Sequence, residues 1–264
     1  MKKIAILLLA ILTFSCSDDD EKGTEEDKGQ WAMIFNETVK SDSNPVDRTE
    51  KFMFDGERLI QHIIKQRYFE EEINNEVNLS YSDNQVTVTT DYLTLVYTLN
   101  SEGYASQCVY SLSSQNRIYQ FSYSAEGYLT GIVENIDNRE YSSTSLTYEN
   151  GDITSISSKM NGLENKFIYE PGEESSTYHL PCLGLLEIHP LTFHIEALYA
   201  GLLGKDPRHF TIRSCPAGSN DEKTVYSYGF DKKGNPSRMI CQTTYAGGQA
   251  SYYPYTRNIS VSFE

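Results

Sequence analysis

Basic residues are scarce in this chain: 22 Lys and Arg stand against 37 Asp and Glu, a formal charge of −15 over 264 residues. That balance repels phosphate backbones and anionic headgroups, so nucleic acid is excluded as an expected partner. No apolar run approaches the ~20 residues that a membrane-spanning helix requires. Phosphate loops, dinucleotide fingerprints, calcium loops and Gly-x-Ser-x-Gly elements are all missing, so no cofactor and no nucleophilic serine are expected. Histidine is sparse, at His62, His179, His189, His194 and His209. His189 and His194 lie five apart with Glu187 and Glu196 beside them, which is not the i, i+4 spacing of a helical metal pair. A structural role is expected for them, and no metal site. Carboxylates such as Glu70-Glu71-Glu72 belong to a charged run that a solvated surface explains. A non-enzymatic protein is the expectation, and a hydrolase with two carboxylates facing across a cleft is the enzymatic alternative.

The N-terminus carries the plainest signal. Met1-Lys2-Lys3 precedes an apolar run from Ile4 to Leu12, and Thr13-Phe14-Ser15-Cys16 follows. A basic start, a short apolar core and small residues before a cleavage point make a secretory signal. Leu12 to Cys16 resembles a lipobox, with Phe14 bulkier than usual and the leucine one place further out. Residues 1–15 are therefore expected to be a lipoprotein signal peptide and Cys16 the lipidated first residue, holding the protein to the membrane. Ser17-Asp18-Asp19-Asp20-Glu21 resembles an acidic export signal for lipoproteins bound for the cell surface, and 16–29 also reads as a flexible acidic tether. An outer-membrane lipoprotein exposed at the surface is expected, with the periplasmic face as the alternative. Removing residues 1–15 leaves −17, of which the tether carries −5 and residues 30–264 carry −12. Those 235 residues suffice for a single domain with a real core.

After Cys16 only four cysteines remain, Cys108, Cys182, Cys215 and Cys241. Outside the cytoplasm they allow two disulfides, and Cys182 with Cys215 is favoured because the two bracket the most unusual segment. Four small buried apolar residues are the equal alternative.

A short pattern recurs along the chain: apolar, any residue, apolar, then a few polar residues, usually a glycine, then apolar again. It occurs at Phe52-Met53-Phe54 with Gly56, Tyr97-Thr98-Leu99 with Gly103, and Phe121-Ser122-Tyr123 with Gly127. Leu146-Thr147-Tyr148 with Gly151, Phe167-Ile168-Tyr169 with Gly172, and Tyr228-Gly229-Phe230 with Gly234 continue it. Each copy predicts a strand, a tight turn and a returning strand, with glycine supplying positive φ and alternation putting the aromatics on one face. The regular spacing argues for an all-β antiparallel up-and-down meander.

Residues 173–220 break the pattern. Ile195, Leu198, Tyr199, Leu202 and Leu203 fall at helical spacing and Gly204 is a natural stop, so one helix is predicted near 192–203. It is apolar on most sides and must be buried against or inside the curved sheet.

The lipobox, the aromatic hairpins and the stretch Ala197-Leu198-Tyr199-Ala200-Gly201-Leu202-Leu203-Gly204-Lys205 together resemble a family of bacterial lipoproteins of unknown function described as having a porin-like fold. The resemblance covers about 30–264 and implies a barrel-like sheet; it brings no catalytic or binding residues. A transmembrane pore is the poorer version of that fold here, because apolar alternation lasts only two or three residues per strand.

Twenty tyrosines are the compositional oddity. Most sit in the alternating strands, where cross-strand packing explains them. Tyr252, Tyr253 and Tyr255, beside Gly247-Gly248 and Pro254, are the candidate ligand-binding platform, since adjacent tyrosines in a strand point to opposite faces. The expected function is capture of a glycan or peptide ligand, or else a structural or adhesive contact with another envelope protein. The Cys16→Ala variant should accumulate as unprocessed, unlipidated precursor, read by a mass shift of the full chain; normal maturation without lipid would show ordinary signal cleavage instead.

Overall fold

The computed structural model describes residues 29–40, 46–68, 71–112, 115–175, 180, 185–186, 188–219, 221–244 and 255–264. The first eight strands are β1 (Gln30–Lys40), β2 (Val46–Asp55), β3 (Arg58–Tyr68), β4 (Glu71–Ser82), β5 (Gln85–Thr89), β6 (Thr94–Leu99), β7 (Ala105–Leu112) and β8 (Gln115–Tyr123). The second eight are β9 (Leu129–Ile136), β10 (Arg139–Glu149), β11 (Asp152–Met160), β12 (Leu163–Ser175), β13 (His209–Pro216), β14 (Lys223–Phe230), β15 (Pro236–Thr244) and β16 (Tyr255–Phe263). Each pairs antiparallel with the next, and β1 pairs with β16 from Met33↔Phe263 to Lys40↔Thr256, closing a barrel. The expected meander is thus a complete up-and-down barrel without a free sheet edge.

Local chemistry explains the turns. At one end of the barrel, Asn100-x-x-Gly103, Ser124-x-x-Gly127 and Asp231-x-x-Gly234 close with the same bonds: the glycine N–H donates to the first residue's carbonyl. In each, the Asn, Ser or Asp side chain also accepts backbone N–H bonds within the turn. Asn150-Gly151 and Asn161-Gly162 hold both central residues at positive φ, as two-residue hairpin loops require. Gly172 departs from the expected pattern: it makes no turn and lies inside β12, where a Cβ would meet Ile212 at 2.7 Å. Its glycine serves close strand approach.

Alternation sends Met33 and Phe35, Phe52 and Phe54, Tyr119 and Phe121, and Ile259 and Val261 inward, where all are buried. The outer face of β4 instead presents Glu72, Asn74, Glu76 and Asn78, all exposed, opposite Arg67, Lys65, Ile63 and Gln61 of β3. A lipid-facing barrel carries an apolar band there; the outer face of β4 does not. The bore is filled by the segment between β12 and β13, whose Leu185, Leu191, Leu198, Tyr199, Leu202 and Leu203 join the core.

The expected helix is much shorter than 192–203. A single 3-10 turn spans Leu191–Phe193, His194 interrupts it in a non-helical conformation, and α1 covers only Ile195–Tyr199. Gly201 is the stop, ahead of Gly204: at φ 69°, its N–H donates to Leu198 O while Leu202 N–H donates to Ala197 O. These are the two bonds of a Schellman cap. Gly204 (φ 89°) turns the chain where it touches the wall, and a Cβ there would sit 2.6 Å from the Gly127 carbonyl oxygen. Gly162 also has positive φ, 78°, but faces open space. Gly204→Ala should therefore lose about 2–3 kcal/mol of unfolding free energy and Gly162→Ala only about 1 kcal/mol, measured by urea denaturation followed through the fluorescence of Trp31.

Candidate functional site

The two ends of the barrel differ. At the end where β1 begins, here the base, Trp31 stacks on Phe54 at 4.2 Å and donates from Nε1 to Gly56 O at 2.7 Å. Tyr123 donates to Ala105 O and Tyr228 to Thr211 O at the same level. The returning internal segment is tied down here by Lys205 N–H to Gly127 O and Arg208 N–H to Gly151 O. The base is sealed by rings and main-chain bonds.

Toward the opposite end, the mouth, the inward-facing residues become polar. His62 is fully buried and donates from Nδ1 to Glu196 at 2.8 Å and from Nε2 to Glu50 at 3.1 Å. Burial opposes its charge, but the two carboxylates outweigh burial and raise its pKa, so it sits as an imidazolium bridge between wall and α1. Arg48 pairs with Glu50 at 2.6 Å, and Arg257 of β16 with Glu37 of β1 across the closing seam.

A second cluster holds the apex of the internal segment. Glu134, with no exposed surface, accepts from His189 Nε2 at 2.6 Å and Ser142 Oγ at 2.7 Å, with Arg117 at 3.3 Å. Burial opposes its ionisation, yet the His189 and Ser142 hydrogen bonds and the Arg117 charge together hold its carboxyl below the ordinary range. His194 is buried edge-on to Tyr119 and shares a hydrogen bond between Nδ1 and the Tyr97 hydroxyl at 2.7 Å. Burial depresses its pKa to about 3, so it is neutral. Among the described residues no group of three or more His, Cys, Asp or Glu could hold a metal ion.

Above these clusters two cavities open into the mouth. One, of about 360 Å³, lies between the β11–β12 hairpin and the apex at Ile188 and His189. Phe167, Tyr169 and Tyr226 supply rings to it, and Ser158, Ser214 and Thr224 supply hydroxyls. The other, of about 230 Å³, lies across the mouth near Tyr92, Leu95, Tyr110 and Phe193, with Glu76, Asp91 and Glu196 among its lining. Of the seven large apolar residues that are exposed among the described ones, Ile73, Tyr92, Met160, Leu163 and Phe193 sit around this rim; only Ile168 and Ile212 lie on the outer wall.

The residues singled out in the sequence fare unevenly. Tyr252 and Tyr253 lie outside the described residues, and Tyr255 opens β16 at the mouth, paired with Thr243. Cys16, Cys182 and His179 also lie outside them. Cys215 sits on the outer wall opposite Ile168, and because Cys182 lies outside the described residues the expected Cys182–Cys215 pairing falls outside them too. His189 and His194 take the structural roles described above. Sequence reasoning did not single out Tyr226 or Ser214 as a site, and it placed Tyr169 in the core. The available signal was position: all lie on inward-facing places near the strand ends opposite Gln30.

His194 also sets an acid-side limit. In the unfolded chain its imidazole takes a proton near 6.5, whereas the folded value is about 3, so protonation between these values favours unfolding. From pH 6.5 down to 4.5, stability should fall by up to ~1.4 kcal/mol per pH unit through this group. Denaturation across that window should show a shallower slope for His194→Gln than for the wild type.

Comparison with known proteins agrees with this architecture. A solved porin-like protein from Bacteroides uniformis ATCC 8492 superposes with a TM-score of 0.80 at 26% identity, covering 88% of this chain and 96% of its own. A second, from Bacteroides vulgatus ATCC 8482, shares the fold at a TM-score of 0.52 and 13% identity, covering 86% of this chain and 96% of its own. No curated protein matches. The model of a domain of unknown function (DUF4595) with porin-like fold matches residues 52–238, and the chain belongs to that family.

Proposed function

We propose that this protein is a lipid-anchored envelope protein that holds a ligand in the mouth of its barrel and performs no catalysis on it. The observation that carries the reading is the concentration of exposed apolar side chains and both mouth cavities at the end opposite the tether. Isolated exposed apolar residues are ordinary on a protein surface, whereas a rim of them beside a concave, largely preformed cavity is the usual sign of a binding site. Residues 1–15 act as the signal peptide, Cys16 carries the lipid, and 16–29 lead into β1 at Gln30, on the base. A barrel hung from its base turns its mouth away from the membrane, toward the solutes that a surface protein meets. Glycan or peptide capture fits that orientation.

The test is a thermal-shift screen of the full chain against pools of glycans, peptides and divalent metals. A ligand that binds only the folded state adds RT ln(1 + [L]/Kd), ~2.7 kcal/mol at a hundredfold excess over Kd, so even weak ligands register. A reproducible shift from a glycan or peptide pool is expected. If no pool shifts the transition while cross-linking on intact cells yields a stoichiometric protein partner, the role is adhesive or structural and ligand capture is wrong. Added protease should cut the protein on intact cells; protection would place it on the periplasmic face.

A further inference from the structure

We propose that the larger mouth cavity is a site for an uncharged sugar unit, the terminal or exposed residue of a neutral glycan. This deepens the ligand-holding reading above and rests on it.

The first argument is charge. Charged residues make up 22% of the chain, yet none of the twelve described residues lining this cavity is Asp, Glu, Lys or Arg. His189 also lines it, with Nε2 engaged by Glu134; an ammonium or carboxylate brought here would meet no Asp, Glu, Lys or Arg to offset its desolvation, which is costly. A free amino acid or short peptide carries both groups and is disfavoured on that ground. The smaller cavity differs, with Glu76, Asp91 and Glu196 in its lining. Two cavities in one mouth therefore select oppositely, and the larger is the neutral one.

The second argument is the kind of polar group present. Inward-facing Asn165, Phe167 and Tyr169 form a ladder on β12, an amide above two rings. Across the cavity Ser214 Oγ lies 3.1 Å from the Tyr226 hydroxyl, and Thr224 Oγ1 lies 2.9 Å from Thr243 Oγ1. Hydroxyls and amides each both donate and accept, the same dual capacity that every sugar hydroxyl has. Half-buried Phe167 supplies apolar ring surface for the C–H side of a pyranose, and the hydroxyls suit its polar edge. At about 360 Å³ the cavity is at the small end of ligand sites, which run from ~300 to 1,000 Å³.

The third argument is the lip. Met160 and Leu163 flank the Asn161-Gly162 turn and are 38% and 73% exposed. They extend the apolar surface outward from the cavity, where the next unit of a chain would lie.

Calorimetric titration of the full chain with neutral oligosaccharides, with their uronate or sulfated counterparts, and with end-capped peptides tests this. Neutral oligosaccharides should bind, and Phe167→Ala and Thr224→Asp should each weaken them by about tenfold. Phe167→Tyr should keep the affinity, and Asp91→Asn in the other cavity should leave it unchanged; thermal melts of each variant show that it is folded. Neutral binding that survives both Phe167→Ala and Thr224→Asp overturns this site while the mouth reading stands. Binding only of charged glycans or peptides overturns the ligand class and again leaves the mouth reading standing. Failure of every ligand overturns both.

Discussion

Sixteen strands enclose a bore wider than the side chains of their own wall can span, and everything else in this structure follows from the need to fill it. The chain fills it from within, turning the segment between β12 and β13 back into the barrel, so that Leu191, Leu198, Tyr199 and Leu202 meet Phe35, Phe52, Tyr97 and Phe121 in one core. Each large apolar side chain removed from water contributes roughly 1.5–3 kcal/mol. The strand pattern must then place apolar residues inward and polar ones outward. A register slip of one residue would exchange the faces, giving the polarity of a water-filled barrel in lipid.

Apolar filling alone does not fix where the segment sits, because leucines pack acceptably at several heights. Polar contacts supply the register. Glu196 reaches His62 on β3, His194 hydrogen-bonds with Tyr97 on β6, and His189 donates to Glu134 on β9. Buried ion pairs are poor sources of net stability, but displacing one partner strands a charge in the interior. Two such ion pairs and one neutral hydrogen bond, on three wall strands, make any other placement costly. The apex that results is one wall of the larger mouth cavity, through Ile188 and His189. The contacts that position the filling thus also shape the site.

Much of the barrel was legible locally. Alternating aromatics and turn glycines at Gly103, Gly127, Gly151 and Gly234 mark hairpins because strand period and positive φ are properties of a few neighbouring residues. Gly172 misled for the same reason: a glycine needed for close strand approach leaves the same local trace as one needed for a turn. The helix was overextended because its apolar periodicity continues to Leu203, while the cap at Gly201, which depends on positive φ, ends it at Tyr199, four residues sooner. Closure was out of reach, since Met33 and Phe263 pair across nearly the whole chain. So were the cavities, whose residues come from β11, β12, β13 and β14 and from the internal segment. Tyr169 and Tyr226 are ordinary alternating tyrosines in sequence, and only their height in the bore sets them apart.

The ends of the barrel are unequal for a topological reason. An up-and-down barrel with an even number of strands brings its first and last strand ends to the same rim, here Gln30 and Phe263, and the internal segment leaves and returns at that rim as well. That rim therefore receives the strand ends, the tight Asn, Ser or Asp-x-x-Gly turns and the main-chain ties from Lys205 and Arg208. Its hydrogen-bonding capacity is spent on closure. The opposite rim meets only the apex of the internal segment, which covers part of the bore and leaves concave space on either side, at the two cavities. A chain attached before Gln30 hangs from the sealed rim without crossing the open one. The topology that closes the sheet thereby separates the rim where the chain enters the barrel from the rim where the cavities lie, and it does so before any particular side chain at the mouth is specified.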